Sequence, residues 1–208
     1  MTIRIFLVCL FGLVGFVGAA VADSPRERLE RFLADLRTLE ADFEQRVVDT
    51  DSGEIGDARG TLYVARPGRF RWVYDGESGT YVLADGRTLW LVEPDLEQVS
   101  QQSQKKALKG TPAGLLAEQV DLERDFEVEE LGRRDGLDWL RLVPRDPESR
   151  FEEILIGLDA QDLLARLEML DRFGQFSRFR FHHVRKNPEL PDHLFRFEPP
   201  PGYDILDQ

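Results

Sequence analysis

The strongest constraint on this chain is a run of short alternating segments cut by turn dipeptides, residues 66–99. Phe70, Trp72 and Tyr74 recur at period two, with Arg69, Arg71 and Val73 between them. That alternation places the aromatics on one face of a strand and the arginines on the other. Asp75-Gly76 and Asp85-Gly86 follow as hairpin turns, and Pro94-Asp95 breaks the next segment. Asp-Gly favours the tight turns whose twist matches that of paired strands. Arg66-Pro67-Gly68 stands at the entrance as a sharp turn, with φ fixed by the proline and the reversal permitted by the glycine. Such a stretch predicts antiparallel sheet.

The rest of the chain is read around that sheet. Residues 24–45 open with Ser24-Pro25, an N-cap followed by proline at the first helical position. Leu29, Phe32, Leu33, Leu36 and Leu39 then recur at helical spacing. This amphipathic helix either packs on a core or serves as a lid over a cavity. Residues 43–48 turn to a strand pattern, 49–57 read as a polar loop, and 58–66 as the next strand. Residues 98–104 read as an edge or rim strand, and 105–110 as a basic solvated loop. Thr111-Pro112 caps a short helix with Leu115 and Leu116 on its apolar side. From residue 125 to 184 five more segments are strand-like. The total is about eleven strands and two main helices. The expected fold is mostly β, a curved and unclosed antiparallel barrel whose helices plug its open side.

Residues 1–22 read as a signal peptide and not as fold. Arg4 supplies the positive end, residues 5–18 are apolar, and Ala20-Val21-Ala22 is a small-residue cleavage site. The mature chain is then 23–208, one domain. The only cysteine, Cys9, lies within the apolar stretch, too early to become a lipidated N-terminus. Arg4 is the one charged residue lost, so the net charge of −12 becomes −13. An acidic exported chain suits neither nucleic acid nor anionic headgroups.

Catalytic patterns are missing. The sequence has no glycine-rich phosphate loop, no nucleophile elbow and no H-E-x-x-H. His182 and His183 are adjacent on a strand pattern and are expected on opposite faces. Glu129-Glu130 and Glu152-Glu153 face apart in the same way. Large apolar side chains are plentiful, with fourteen Phe, three Trp and four Tyr. Alone, they fit a filled aromatic core or a hollow one equally well.

A resemblance separates the two. The run RPGRFRW, then ADGRTLWLVEPDLEQV, then a TP pair before LL, is similar to the LolA family. So are LDRFGQFSRFRF at 170–181 and the closing series Asn187, Phe195, Phe197, Pro199, Gly202, Tyr203, Asp204, Ile205. Tyr203 stands where the family usually has valine, and the run carries an additional proline. The resemblance spans nearly all of the mature chain.

What it implies is a periplasmic carrier and not an enzyme, with no cofactor and no metal. The family fold is an unclosed antiparallel barrel with an α-helical lid over a hydrophobic cavity. The cargo would be acylated lipoproteins, taken from an inner-membrane ABC exporter and handed to an outer-membrane receptor, LolB or its equivalent, by a monomer. The family's turn arginine falls on Arg66, latching to main-chain carbonyls of a lid segment at Leu115, Leu116 and Ala117. Phe70, Trp72, Tyr74, Trp90, Leu115, Phe32 and Leu36 are the candidate cavity or partner contacts. Other uses of the fold are a carrier of another acylated molecule, such as a glycolipid, or a periplasmic lipid-sensing regulator.

Overall fold

A computed structural model of the chain describes residues 23–49 and 53–208. The signal-peptide stretch 1–22, with Cys9 and the Ala20-Val21-Ala22 site, lies outside them.

The first element is helix α1, Pro25–Asp35. Ser24 Oγ accepts from the Glu27 amide while the Glu27 carboxylate accepts from the Ser24 amide, a reciprocal cap. The helix ends ten residues before the sequence pattern suggested. Leu36 takes an extended backbone, and Thr38–Asp49 form strand β1. The apolar spacing at Leu36 and Leu39 suits a helix, but Leu39, Ala41 and Phe43 also alternate. Their burial on the inner face of β1 wins. β2 spans Gly53–Ala65, so it reaches well into the segment read as a polar loop, of which β1 takes only Asp49.

β3 (Arg69–Tyr74), β4 (Tyr81–Asp85) and β5 (Thr88–Glu93) follow as antiparallel neighbours. The Asp85-Gly86 turn holds Gly86 at φ +102°, open to glycine but strained for other residues. β6 spans Gln98–Ser103. The basic segment expected as a loop forms a short helix, α2 (Gln104–Leu108), because Leu108 is buried. α3 (Pro112–Ala117) is capped by Thr111, whose Oγ1 accepts from the Gly114 amide. α4 (Leu122–Asp125) leads into β7 (Phe126–Arg134), β8 (Leu137–Pro144), β9 (Phe151–Leu158), β10 (Leu164–Asp171) and β11 (Gln175–Lys186).

The strands form one curved sheet, ordered β12-β6-β5-β4-β3-β2-β1-β11-β10-β9-β8-β7. β12, Asp204–Asp207, was not expected and makes the count twelve. Four residues, two of them aspartate, give too short a pattern to read. β12 pairs parallel to β6, so the sheet is not antiparallel throughout, and β6 is not an edge. Among the described residues β12 and β7 have no strand on their outer sides, which leaves the barrel unclosed.

The concave face holds the main core, from Leu29 and Phe32 of α1 across to Ile154, Ile156 and Leu167. The convex face of β3–β6 is covered by the C-terminal segment. Arg69 pairs with Asp192 and lies over the Phe195 ring, Arg71 lies over Tyr81, and Trp90 packs on Phe197. A bulge in β11 at His183 (φ +49°) corrects the expectation for the histidines. Both lie against outward-facing carboxylates of β1: His183 Nδ1 is hydrogen-bonded to Asp42 at 2.8 Å, and His182 Nε2, which makes no hydrogen bond, lies 3.6 Å from Glu44. They therefore share one face. No metal-ligating cluster of three or more groups forms among the described residues.

Candidate functional site

The turn before β3 is the site's organising piece. The Arg66 guanidinium donates from Nε to Leu116 O at 2.7 Å, from Nη2 to Leu115 O at 2.8 Å and from Nη1 to Leu33 O at 2.5 Å. Gly68 N–H donates to Ala117 O at 2.8 Å. The ends of α1 and α3 therefore meet on one turn. A planar guanidinium suits this, because its fork of donors reaches carbonyls in several directions. Burial lowers the Arg66 pKa from its ordinary value, opposed by the neighbouring Glu118 carboxylate.

Beyond the turn, the concave face is not completely filled. A cavity of about 490 Å³ lies between β3–β5, α2–α3 and β10–β11. Phe70, Trp72, Tyr74, Val82 and Leu89 line one wall, and Leu167, Met169 and Phe179 the other. Leu108, Pro112 and Ala113 close it from above. Arg150, Phe173 and Gln175, all exposed, mark where it meets solvent. Phe173 is 82% exposed. The volume lies in the range of sites that enclose small ligands. A second hollow of about 980 Å³ abuts α2 and α3, but Arg87, Lys105, Lys109 and Asp146 line it. Leu108, Leu115, Val120 and Phe126 line it beside these charged groups.

The aromatic wall is ordered by ring contacts. Trp72 lies 4.9 Å from Phe43 and 5.0 Å from Phe179, and Phe43 meets Tyr74 edge-on at 5.5 Å. Burial raises the Tyr74 pKa. The Trp72 indole Nε1 is buried without a hydrogen-bond partner.

The structure thus brings Phe70, Trp72 and Tyr74 together on the cavity wall. It places the other candidates elsewhere. Trp90 points to the convex side, where Nε1 donates to Asp85 Oδ2 at 2.9 Å and the ring packs on Phe197. Strand parity decides this, since Leu89 takes the inward position. Phe32, 1% exposed, is packed within the core under α1, and Leu36 is buried at the helix end beside Arg66 and Pro67. Leu115, Leu116 and Ala117 are buried in α3 beside the turn.

Several contributing residues were not singled out from the sequence. Phe179 and Met169 sit on β11 and β10 with ordinary alternation and carry no distinguishing mark. Leu33 contributes a main-chain carbonyl, which has no side-chain signature. Gln104 is 2% exposed and contacts the turn, yet it reads as one of several glutamines in a rim strand.

Comparison with known proteins adds four findings. The family described as "Outer membrane lipoprotein carrier protein LolA" matches residues 34–198. A protein of Methylococcus capsulatus named "Outer-membrane lipoprotein carrier protein" is 38% identical over 193 residues, 93% of this chain and 92% of that one. One of the same name from Nitrosospira multiformis is 36% identical over 180 residues, 86% of this chain and 87% of that one. Among solved structures, an uncharacterized conserved protein from Thermus thermophilus shares the fold at TM-score 0.54. It is 13% identical, and the match covers 88% of this chain and 98% of that one.

Proposed function

The chain belongs to the LolA family of outer-membrane lipoprotein carrier proteins, and from that premise we propose how its cavity and lid handle an acylated cargo. The protein is a lipoprotein carrier and not an enzyme. The acyl chains of the cargo occupy the 490 Å³ cavity, against Phe70, Trp72 and Tyr74. The observation that carries this reading is the apolar hollow beneath helices held by one arginine.

The energetics suit it. Burying methylenes is worth ~0.8 kcal/mol each, so a long acyl chain left in water costs roughly 10 kcal/mol. A carrier must offset that cost and still release its load, which calls for a cover that opens cheaply. A charge-assisted hydrogen bond contributes about 1.5–3 kcal/mol. Water replaces these bonds when the cover lifts, so the net bias is smaller. Arg66 is the latch, and the ends of α1 and α3 are what it holds. Ala117 joins through its carbonyl to Gly68.

Leader removal after Ala22 would leave residues 23–208 as a single carrier domain in the periplasm. No helix among the described residues is long and apolar enough to cross a membrane. An inner-membrane ABC exporter would supply the cargo, and an outer-membrane receptor of LolB type would accept it from a monomeric carrier. Mass spectrometry of protein purified from periplasm tests the cargo. Copurifying acylated peptides support the reading, and a carrier that returns only free glycolipid overturns it.

A further inference from the structure

The lid has a second attachment that the arginine latch does not supply. Gln104 is the first residue of α2 and is 2% exposed. A buried primary amide must find partners for both ends. Its Oε1 accepts from Gly86 N–H at 3.0 Å. Its Nε2 donates to Gly68 O at 2.6 Å and to Glu118 Oε1 at 3.2 Å. Its own backbone N–H donates to Arg87 O at 3.0 Å. Gly68 belongs to the turn that carries Arg66, and Glu118 follows the last residue of α3.

These bonds join the two ends of the segment that covers the cavity. Residues 104 and 118 bracket α2 and α3, and one side chain bridges them. Ala117 O, accepting from Gly68 N–H, adds a third tie at the same place. The approach is close. A Cβ added at Gly68 would stand 3.0 Å from Gln104 Nε2 and 3.3 Å from Glu118 Oε1. Arg66 grips Leu115 and Leu116 just beyond this base.

We propose that Gln104 is a positioning residue of the lid, stapling both ends of flap 104–118 to the Arg66-bearing turn so that the flap opens about a fixed base. Arg66 then controls whether the flap is down, and Gln104 controls where it returns. The staple rests on the reading of α2–α3 as a lid, but not on what the cavity holds.

Hydrogen exchange on the mature chain without cargo tests it. Gln104→Met keeps the volume and removes both polar ends. The amides of Thr111, Gly114 and Leu115, all hydrogen-bonded within the flap, should exchange about tenfold faster. Amides of β10 and β11 should keep their protection. Gln104→Glu retains the acceptor for Gly86 but sets a carboxylate against Gly68 O and Glu118, so it should speed flap exchange further. Adding Glu118→Gln to that variant restores one donor–acceptor pair and should slow exchange again. Unchanged flap exchange in both single variants overturns the staple. So does a uniform rise across β10 and β11, or a double variant no slower than Gln104→Glu. Because no acyl probe enters the experiment, the carrier reading stands or falls separately.

Discussion

Arg66 Nη1 donates to the carbonyl of Leu33 at 2.5 Å. Leu33 lies in the last turn of α1, where main-chain carbonyls carry the negative end of the helix dipole. α1 has no basic residue of its own in that turn. Arg66 supplies the missing cation and holds α3 with its remaining donors. One side chain thus sets the position of two helices.

The first prediction concerns that side chain. Arg66→Leu should leave the sheet folded and lower stability by about 1–3 kcal/mol, since water replaces part of each lost bond. Release of a bound fluorescent fatty acid should quicken about tenfold. Arg66→Lys should behave more like the leucine variant than like wild type, because one ammonium cannot span three carbonyls. Stopped-flow release measured on all three proteins checks this, and unchanged release in Arg66→Leu would rule the latch out.

A second prediction concerns acid. Arg28 of α1 binds Asp138 of β8 and Asp162, which precedes β10. Arg31 reaches Asp162 as well, at 3.1 Å. Burial works to raise the Asp162 pKa, but the hydrogen bonds from Arg28 and Arg31 outweigh it and hold it below the ordinary value. A folded-state pKa below the unfolded one gives stability that is present above the unfolded value, near 3.9. It is lost as pH falls through the lower, folded one. Melting temperature should therefore drop on acidification below about pH 4. Asp162→Asn should be less stable at neutral pH and show a shallower acid slope. Thermal melts from pH 6 to pH 2.5 would read it, and an unaltered slope in the variant would count against the pair.

A third prediction rests on Gly60 in β2. Replacing a strand glycine by alanine ordinarily gains about 0.5–1 kcal/mol. Here an added Cβ would stand 1.8 Å from Val73 O and 2.8 Å from the Phe43 ring. Backbone on the neighbouring strand cannot yield as a flexible side chain can. Gly60→Ala should cost about 1–3 kcal/mol or more, reversing the usual sign. Urea denaturation checks it, and a neutral or stabilising result would show that β2 and β3 can separate freely.

The legible parts of this fold are those written in local chemistry. Asp-Gly turns and the alternation of Phe70, Trp72 and Tyr74 located β3 to β5 and the inward face. Ser24-Pro25 located the start of α1. Its end was obscured because Leu39 fits both the helical spacing from Leu36 and the alternation with Ala41 and Phe43, and only burial against the sheet selects one. Trp90 was named as a cavity or partner contact on its aromatic character, which says nothing about face, whereas its parity against Leu89 puts it on the convex side. β12 depends on pairing to β6 far away in sequence. The Leu33 carbonyl has no letter of its own. Gln104 becomes distinctive only when the turn, the flap and Glu118 converge.

The last prediction separates cavity wall from core. Phe43 and Trp72 touch, with ring centroids 4.9 Å apart, yet their surroundings differ. Phe43 is 2% exposed and does not line the hollow, whereas Trp72 does. Phe43→Glu would bury a carboxylate with no counter-charge, costing several kcal/mol against a total stability of about 5–15 kcal/mol. It should abolish the cooperative melt. In Trp72→Glu the carboxylate can extend into a cavity that opens to solvent and stay hydrated. That variant loses aromatic contacts worth about 0.5–1.5 kcal/mol each, so it should melt lower but cooperatively. Its enhancement of a fluorescent fatty-acyl probe should vanish, because the apolar wall now carries a charge. Trp72→Phe should keep most of the enhancement. Melts and probe titrations run side by side decide the matter. If Trp72→Glu fails to fold as Phe43→Glu does, the wall is core. If probe enhancement survives in a folded Trp72→Glu, the acyl chain lies elsewhere.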